Sequence, residues 1–321
     1  MEVMPYNTSR DGVQNPAQPL SRNRDDAASR RWQIVSAPTW ETVMRRLLLA
    51  AALLLSAAPA ALAQRSPAPA PAQAPADPVP SSCIAMAKAL PNVVYASFTP
   101  AQASRGGEVT ITYAGHSTFV IETPAGVRIA TDYSGVYGSD PLPRVITMNR
   151  AHRTHWTPNP DPGIEVVLPG WGENGEAARH REVVDDVYIR NVPTDIRDWG
   201  GGMQVDGNSI FIFEVAGLCI GHLGHLHHDL TDAHYAAIGR LDVLMVPVDG
   251  GMTQSLTNMS TIAERLYSSV ILPMHRHSTP IGEFLGLMGE GFAADFRQER
   301  SITLSLGTLP RRPTIVILQG V

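Results

Sequence analysis

The stretch Glu108-Val109-Thr110-Ile111-Thr112-Tyr113-Ala114-Gly115-His116-Ser117-Thr118-Phe119-Val120-Ile121-Glu122-Thr123-Pro124-Ala125-Gly126-Val127-Arg128-Ile129-Ala130-Thr131-Asp132 decides the fold. Apolar and polar residues alternate from Glu108 to Tyr113, and β-branched and aromatic residues fill Ser117 to Glu122 and Val127 to Thr131. With Thr123-Pro124-Ala125-Gly126 supplying a turn, three short strands follow one another as a β-meander. Outward from it, apolar runs predict strands at Arg144 to Met148, Ile164 to Leu168, Val187 to Val192, Ser209 to Val215, Leu218 to Gly221, Leu241 to Val248 and Val270 to Leu272. Two late strands follow, at Ile302 to Leu306 and Thr314 to Leu318. Helical spacing appears after a Thr231-Asp232 cap through Ile238, from Ser255 to Ser268, and from Gly282 to Met288. Many strands with helices arriving late imply an α+β domain in which sheet packs on sheet and helices lie outside.

The chain carries 11 histidines and 2 cysteines. That contrast excludes Cys-rich zinc modules and disulfide-dense scaffolds and leaves histidine-based metal chemistry open. On the strand map nearly every histidine falls where a strand gives way to a loop. His116 sits in the first turn and Asp132 ends the third strand; His152 and His155 follow Met148. His222, His225, His227 and His228 leave the strand at Gly221, and His275 and His277 leave the one at Leu272. A sheet edge holds such loops rigidly with one side open. A lone histidine there is ordinarily just hydrogen-bonded, but several pairs two or three residues apart can turn rings toward one ion. His180 in a loop and His234 in a helical pattern read as surface residues.

The order of Ile111-Thr112-Tyr113-Ala114-Gly115-His116-Ser117-Thr118-Phe119, Ile129-Ala130-Thr131-Asp132, the His152/His155 loop, His222-Leu223-Gly224-His225-Leu226-His227-His228 and Leu272-Pro273-Met274-His275 resembles the metallo-β-lactamase family. Within that family it is most similar to the zinc-dependent hydrolases that include ascorbate-6-phosphate lactonase. The resemblance spans about Glu108 to His277 and implies an αββα sandwich, two packed mixed sheets with outer helices and a metal centre at one edge. The signature His-x-His-x-Asp-His becomes Arg150-Ala151-His152-Arg153-Thr154-His155 here, so Arg150 replaces a ligand and Thr154 the aspartate. By the same correspondence Asp195, in Val192-Pro193-Thr194-Asp195, stands at a histidine position. His225 stands at the bridging aspartate and His275 at the last histidine.

The implied ligand set is therefore His152, His155, Asp195, His225 and His275, with His116, Arg150, Thr154 and His228 beside the metal or the substrate. Arg150 fixes a positive charge where a second dication would lie, and the usual aspartates are lost, so one ion, zinc or another divalent transition metal, is expected rather than two. Asp195 and Asp132 remain as proton acceptors by position.

With 44% hydrophobic and 17% charged residues and a net charge of −5, the chain is neither disordered nor basic enough for a nucleic-acid or anionic-membrane partner. Met44-Arg45-Arg46 followed by Leu47 to Leu55 and by Ala61-Leu62-Ala63 has the three parts of a secretory signal. Residues 1–43 then read as an upstream extension with Met44 as the true start; the alternative is a cytoplasmic tail ahead of a signal anchor. Residues 64–81 are a Pro/Ala-rich tether and 82–321 the folded domain. Removing 1–63 leaves 18 basic and 25 acidic residues, a net charge of −7. A periplasmic or secreted destination, with no stable membrane insertion after cleavage, would permit Cys83 and Cys219 to bridge; two separate thiols are the alternative.

The expected function is an exported metal-dependent hydrolase using an activated water on a small ester, lactone or phosphoester. One rival is a periplasmic metal-binding or scaffold protein that lost the water-orienting aspartate. Another is a metal-free protein in which Arg150 pairs with Asp195. Gly-rich aromatic segments Tyr133 to Gly138, Trp171 to Gly175 and Trp199 to Gly202 are either pocket walls or ordinary turns.

Overall fold

A computed structural model describes residues 81–85 and 107–321, apart from Gly175 and Trp199. The upstream extension, the export signal and the tether up to residue 80 lie outside the described residues. A four-residue helix α1 (Ser82–Ala85) precedes β1 (Val109–Gly115), β2 (Thr118–Glu122), β3 (Arg128–Ala130), β4 (Val145–Met148), β5 (Val166–Pro169), β6 (Arg181–Val184), β7 (Val187–Arg197), β8 (Met203–Val215) and β9 (Leu218–His222). Then come α2 (Asp232–Ile238), β10 (Val243–Pro247), α3 (Leu256–Leu266), β11 (Val270–Met274), α4 (Ile281–Met288), β12 (Ala293–Phe296), β13 (Ser301–Leu304) and β14 (Thr314–Ile317).

The strands form two mixed sheets, ordered β13-β1-β2-β3-β4-β5 and β12-β14-β11-β10-β9-β8-β7-β6. The meander is antiparallel, with Ile111 opposite Ile121 and Ile121 opposite Ile129. Strands β9, β10 and β11 run parallel, so their C-terminal ends share one edge. Inward residues of both sheets, among them Ile111, Phe119, Ile129, Phe211, Phe213, Met245 and Leu272, make one buried core. This is the sandwich expected from alternation.

Among the described residues, α2, α3 and α4 pack on the outer face of the eight-stranded sheet through Ile238, Met259, Ile262, Ala263 and Phe284. Thr231 caps α2 and Ser255 caps α3. The outer face of the six-stranded sheet is instead covered by a smaller cluster in which Trp156 and Trp171 lie against Val120, Ile146 and Met148. Strands β6 and β12 escape the sequence reading because they are edge strands, largely exposed and charged or small, without an apolar alternation to signal them. The β7–β8 hairpin also runs farther than expected, to Arg197 and back from Met203. No helix among the described residues is long and apolar enough to cross a membrane.

Cys83 and Cys219 form a disulfide that ties α1 to β9. Around it Glu214 accepts from Ser82 Oγ at 2.9 Å and from the Ser82 N–H at 2.8 Å. Arg190 donates to the same carboxylate at 2.8 Å and to the carbonyls of Ala237 and Ile238.

Candidate metal centre

The site stands where the strands deliver it. The β1–β2 turn presents His116, the loop after β4 presents His152 and His155, and the loops after β9 and β11 present His225 and His275. Several of these backbones are in the left-handed region, with φ of 55° at His116, 44° at Asp132, 51° at His275 and 54° at His277. Such conformations cost of order 1 kcal/mol or more at non-glycine residues and persist where surrounding structure enforces them, commonly at functional sites. Gly224 (φ 62°) lets the β9 loop pass close to Asn149 and Asn208; a Cβ there would lie 2.4 Å from Asn149 Nδ2.

Ring nitrogens of His116, His152, His155 and His275 all lie within 4.8 Å of one another. His116 Nε2 and His155 Nε2 are 3.3 Å apart. The Thr154 hydroxyl sits between His116 Nε2 (2.9 Å) and His152 Nδ1 (2.6 Å). The His225 ring joins the cluster, its centroid 4.6 Å from that of His155 and 4.9 Å from that of His275. Nε2 of His152, His225 and His275 is in each case buried with no hydrogen-bond partner. Buried polar atoms are ordinarily paired, so orphaned nitrogens within this cluster of rings mark a place for an ion or a ligand.

Carboxylates stand behind two of the rings. His275 Nδ1 donates to Asp249 Oδ2 at 2.8 Å. Burial raises the pKa of Asp249, but hydrogen bonds from His275 and Thr253 outweigh it and hold the carboxyl well below its usual range. An ionised carboxylate only accepts, so the His275 hydrogen is on Nδ1 and a bare Nε2 faces inward, as a metal ligand requires. His155 Nδ1 faces Asp132 Oδ2 at 2.7 Å in the same arrangement. Burial pushes the Asp132 carboxyl up, opposed by His222 and by the Asn149 amide. Burial, reinforced by neighbouring histidines, lowers the pKa of His116 to about 4 and drives His155 and His225 well below the ordinary imidazole value. The rings are therefore neutral at pH 7, the form that binds metals. Chemically, four imidazoles with two carboxyl groups behind them fit a divalent transition metal of zinc's preference.

Of the residues singled out from sequence, His116, His152, His155 and His275 are brought together. His225 stands beside them, and Asp132 lies fully buried behind His155, orienting that ring rather than facing the cavity. Asp195 stands apart: it accepts the Asp206 N–H at 3.0 Å, and among the described residues no hydrogen bond joins it to the histidines. The cause is strand alternation. Thr194 and Ile196 are buried on β7, a register irregularity lies between them, and the less buried Asp195 falls on the opposite face. Thr194 borders the site instead, accepting from Asn208 Nδ2 at 2.8 Å while Asn208 Oδ1 accepts the His225 N–H.

Arg150 is exposed, with its guanidinium 5.9 Å from the Trp171 ring centroid. Among the described residues no ion pair joins it to Asp195, so the metal-free pairing loses its support. His228 is partly buried, its Nε2 unpartnered. His222 is structural, with Nε2 donating to Ser117 O and Nδ1 accepting the Gly224 N–H. His180 is less exposed than expected, stacking on Phe211 and donating to Pro169 O.

Sequence reading missed Asp249 and Asn149. Asp249 gathers the N–H groups of Gly251, Met252 and Thr253 besides His275. Asn149 bridges Asp132 Oδ1 and the Ser209 N–H. The available signal was position, since each lies just past a buried strand, at the same edge as the histidines. A cavity of about 610 Å³ opens beside the cluster, lined by Arg150, His152, Trp156, Arg197, His225 and His227 among others.

Residues 110–275 match the family described as the beta-lactamase superfamily domain. No curated protein matches the chain. Among solved structures it is similar to a candidate zinc-dependent hydrolase of the metallo-β-lactamase superfamily from Thermotoga maritima, at 27% identity, 65% coverage of this chain and 98% of that one, and a TM-score of 0.47. It is also similar to a candidate metal-dependent hydrolase from Parabacteroides distasonis, at 17% identity, 58% and 94% coverage and a TM-score of 0.44. A metallo hydrolase from Ignicoccus hospitalis gives 17% identity, 62% and 99% coverage and a TM-score of 0.45.

Proposed function

The chain belongs to the metallo-β-lactamase superfamily, and we propose from that premise that its histidine cluster is the centre of an exported hydrolase working with one divalent ion, zinc by donor type. The observation that carries the reading is the pair of buried, unpartnered Nε2 atoms of His152 and His275 set against His116 and His155. Those four residues would hold the ion. Bound there, a divalent ion supplies Lewis acidity and a water of lowered pKa. The chain's own contribution is orientation: Asp249 and Asp132 fix the rings of His275 and His155. One ion is favoured over two because Arg150 lies beside the cluster and both nearby carboxylates are spent behind imidazoles.

Arg197 at the cavity wall is committed to the carbonyls of Gly251, Met252 and Thr253. Arg150 is left to meet an anionic group on the substrate, with Trp156 as an apolar wall. That supports a small anionic ester, lactone or phosphoester, and the order of the motif segments supports kinship with ascorbate-6-phosphate lactonase. The disulfide supports export, since such bridges persist in oxidising compartments.

One observation favours the non-catalytic, metal-binding rival. Asp132 and Asp249, the carboxylates that contact the cluster, are hydrogen-bonded behind imidazoles and do not face the cavity to take a proton, and Asp198 at the cavity rim is held through Oδ1 by the Gly200 and Gly202 N–H groups. Elemental analysis should find one ion per chain in the wild type and almost none in the His152→Ala/His275→Ala double variant. A panel of lactones, esters and phosphoesters should then show turnover lost with the metal. Metal without turnover of any of them leaves the binding protein as the correct reading.

A further inference from the structure

His225 occupies the cavity wall beside the cluster, is only 3% exposed, and carries a buried Nε2 with no partner. Hydrogen bonds behind it determine what that nitrogen offers. The Arg197 backbone N–H donates to His227 Nδ1 at 2.6 Å. A backbone amide only donates, so His227 Nδ1 is bare and the ring's hydrogen is on Nε2. That Nε2–H faces Met252 O at 2.8 Å and His225 Nδ1 at 2.8 Å. A second hydrogen on His225 Nδ1 would collide with it. His225 Nδ1 is therefore an acceptor, and the hydrogen of the neutral ring sits on Nε2, pointing into the site.

The contrast with His275 is direct. A carboxylate behind His275 turns a lone pair inward, whereas an N–H behind His225 turns an N–H inward. We propose that His225 is not a metal ligand but a fixed hydrogen-bond donor for an anionic oxygen of the substrate. An N–H held in a dry site and aimed where negative charge develops is the arrangement of an oxyanion hole. No proton needs to leave His225 for this role. The proposal rests on the metal-centre reading above for the place where that oxygen lies.

The test compares wild-type protein with His225→Ala and His225→Gln, the latter retaining a side-chain N–H. Zinc stoichiometry should remain at one ion per chain in both, and the visible absorption of the cobalt(II)-loaded proteins should be unchanged. Affinity of the zinc-loaded protein for inorganic phosphate, the oxyanion probe, should fall about tenfold to a hundredfold in His225→Ala. It should return to within about threefold of wild type in His225→Gln. Loss of the ion or an altered cobalt spectrum in either variant makes His225 a ligand and overturns the proposal, as does phosphate binding that is absent or indifferent to both changes. A wild type that binds no zinc removes the metal-centre reading itself. Nitrogen NMR of the metal-free protein tests the donor independently: an Nε2–H tautomer is expected for His225, and an Nδ1–H tautomer overturns it.

Discussion

Two ends of the eight-stranded sheet treat buried polarity in opposite ways. At the end where β9 begins, Glu214 is satisfied by Arg190, Ser81 and Ser82, and the Cys219 N–H by Asp242, while the disulfide ties α1 to the sheet. At the end where β9, β10 and β11 finish, four imidazole nitrogens among the described residues have no partner and four non-glycine residues near them have positive φ. Covalent and ionic restraint sits at one edge, and strain with unmet hydrogen-bonding capacity at the other. Ligand binding here is thus supported by a fold stabilised elsewhere. Changes at one end should then alter one property and spare the other.

The largest effect is expected from the restrained end. The disulfide closes a loop with a sequence separation of 136 residues, and a long loop gains most from cross-linking in the chain-entropy model. The Cys83→Ala/Cys219→Ala variant should lose about 2–4 kcal/mol of unfolding free energy in urea titration, while zinc affinity measured below the transition stays within about twofold. If zinc affinity collapses together with stability, the two ends are not independent. The opposite substitution is Asp249→Asn, which keeps the shape but replaces the acceptor-only carboxylate with an amide that can turn an N–H toward His275. Zinc affinity should fall about 10–100-fold, or roughly 1.4–2.7 kcal/mol, as read by competition with a chelating dye. Loss of affinity no greater than twofold would mean that His275 does not depend on Asp249 for its orientation.

How much of this contrast the sequence discloses differs between the ends for physical reasons. Strands β1 to β5, β7 to β11, β13 and β14 are legible because buried alternation or apolar runs leave a periodic trace, and strand ends are where His152, His155 and His275 lie. Edge strands β6 and β12 leave little trace because they bury little. The face on which a residue falls is legible only while the strand stays regular. A register irregularity between Thr194 and Ile196 is invisible in composition, so the alternation that buries Thr194 and leaves Asp195 on the other face cannot be assumed there from sequence. Asp249 and Asn149 each look like a single polar residue after a strand; their importance comes from partners 26 and 60 residues away. The tautomer of His225 is less legible still, being dictated by a backbone amide from the β7 terminus acting through His227.

The smallest expected effect separates the ends by pH. Burial lowers His116 to about 4, with His275 and His152 adding to it, and burial lowers His227 to about 4, with Arg197 adding to it. In the unfolded chain these imidazoles titrate near about 6.5. As pH falls from about 6.5 toward 4, the unfolded state takes up protons that the folded state refuses, so stability must fall with pH. The carboxylates act lower. Desolvation raises Glu214, but hydrogen bonds from Arg190 and the two serines leave it below its usual value, and Asp249 is depressed in the same sense. Their stabilisation is present above the unfolded carboxylate range near about 4 and is lost below it. Any slope between pH 6.5 and 5.5 therefore belongs to the histidine end. In chelator, urea unfolding should show a decrease on the order of 1 kcal/mol over that window, reduced from the full linkage value because these rings are partly open to solvent. His116→Gln should flatten the slope, whereas the disulfide variant should lower the whole curve without changing it. A disulfide variant with a changed slope in this window would show that the histidines feel the opposite edge of the sheet.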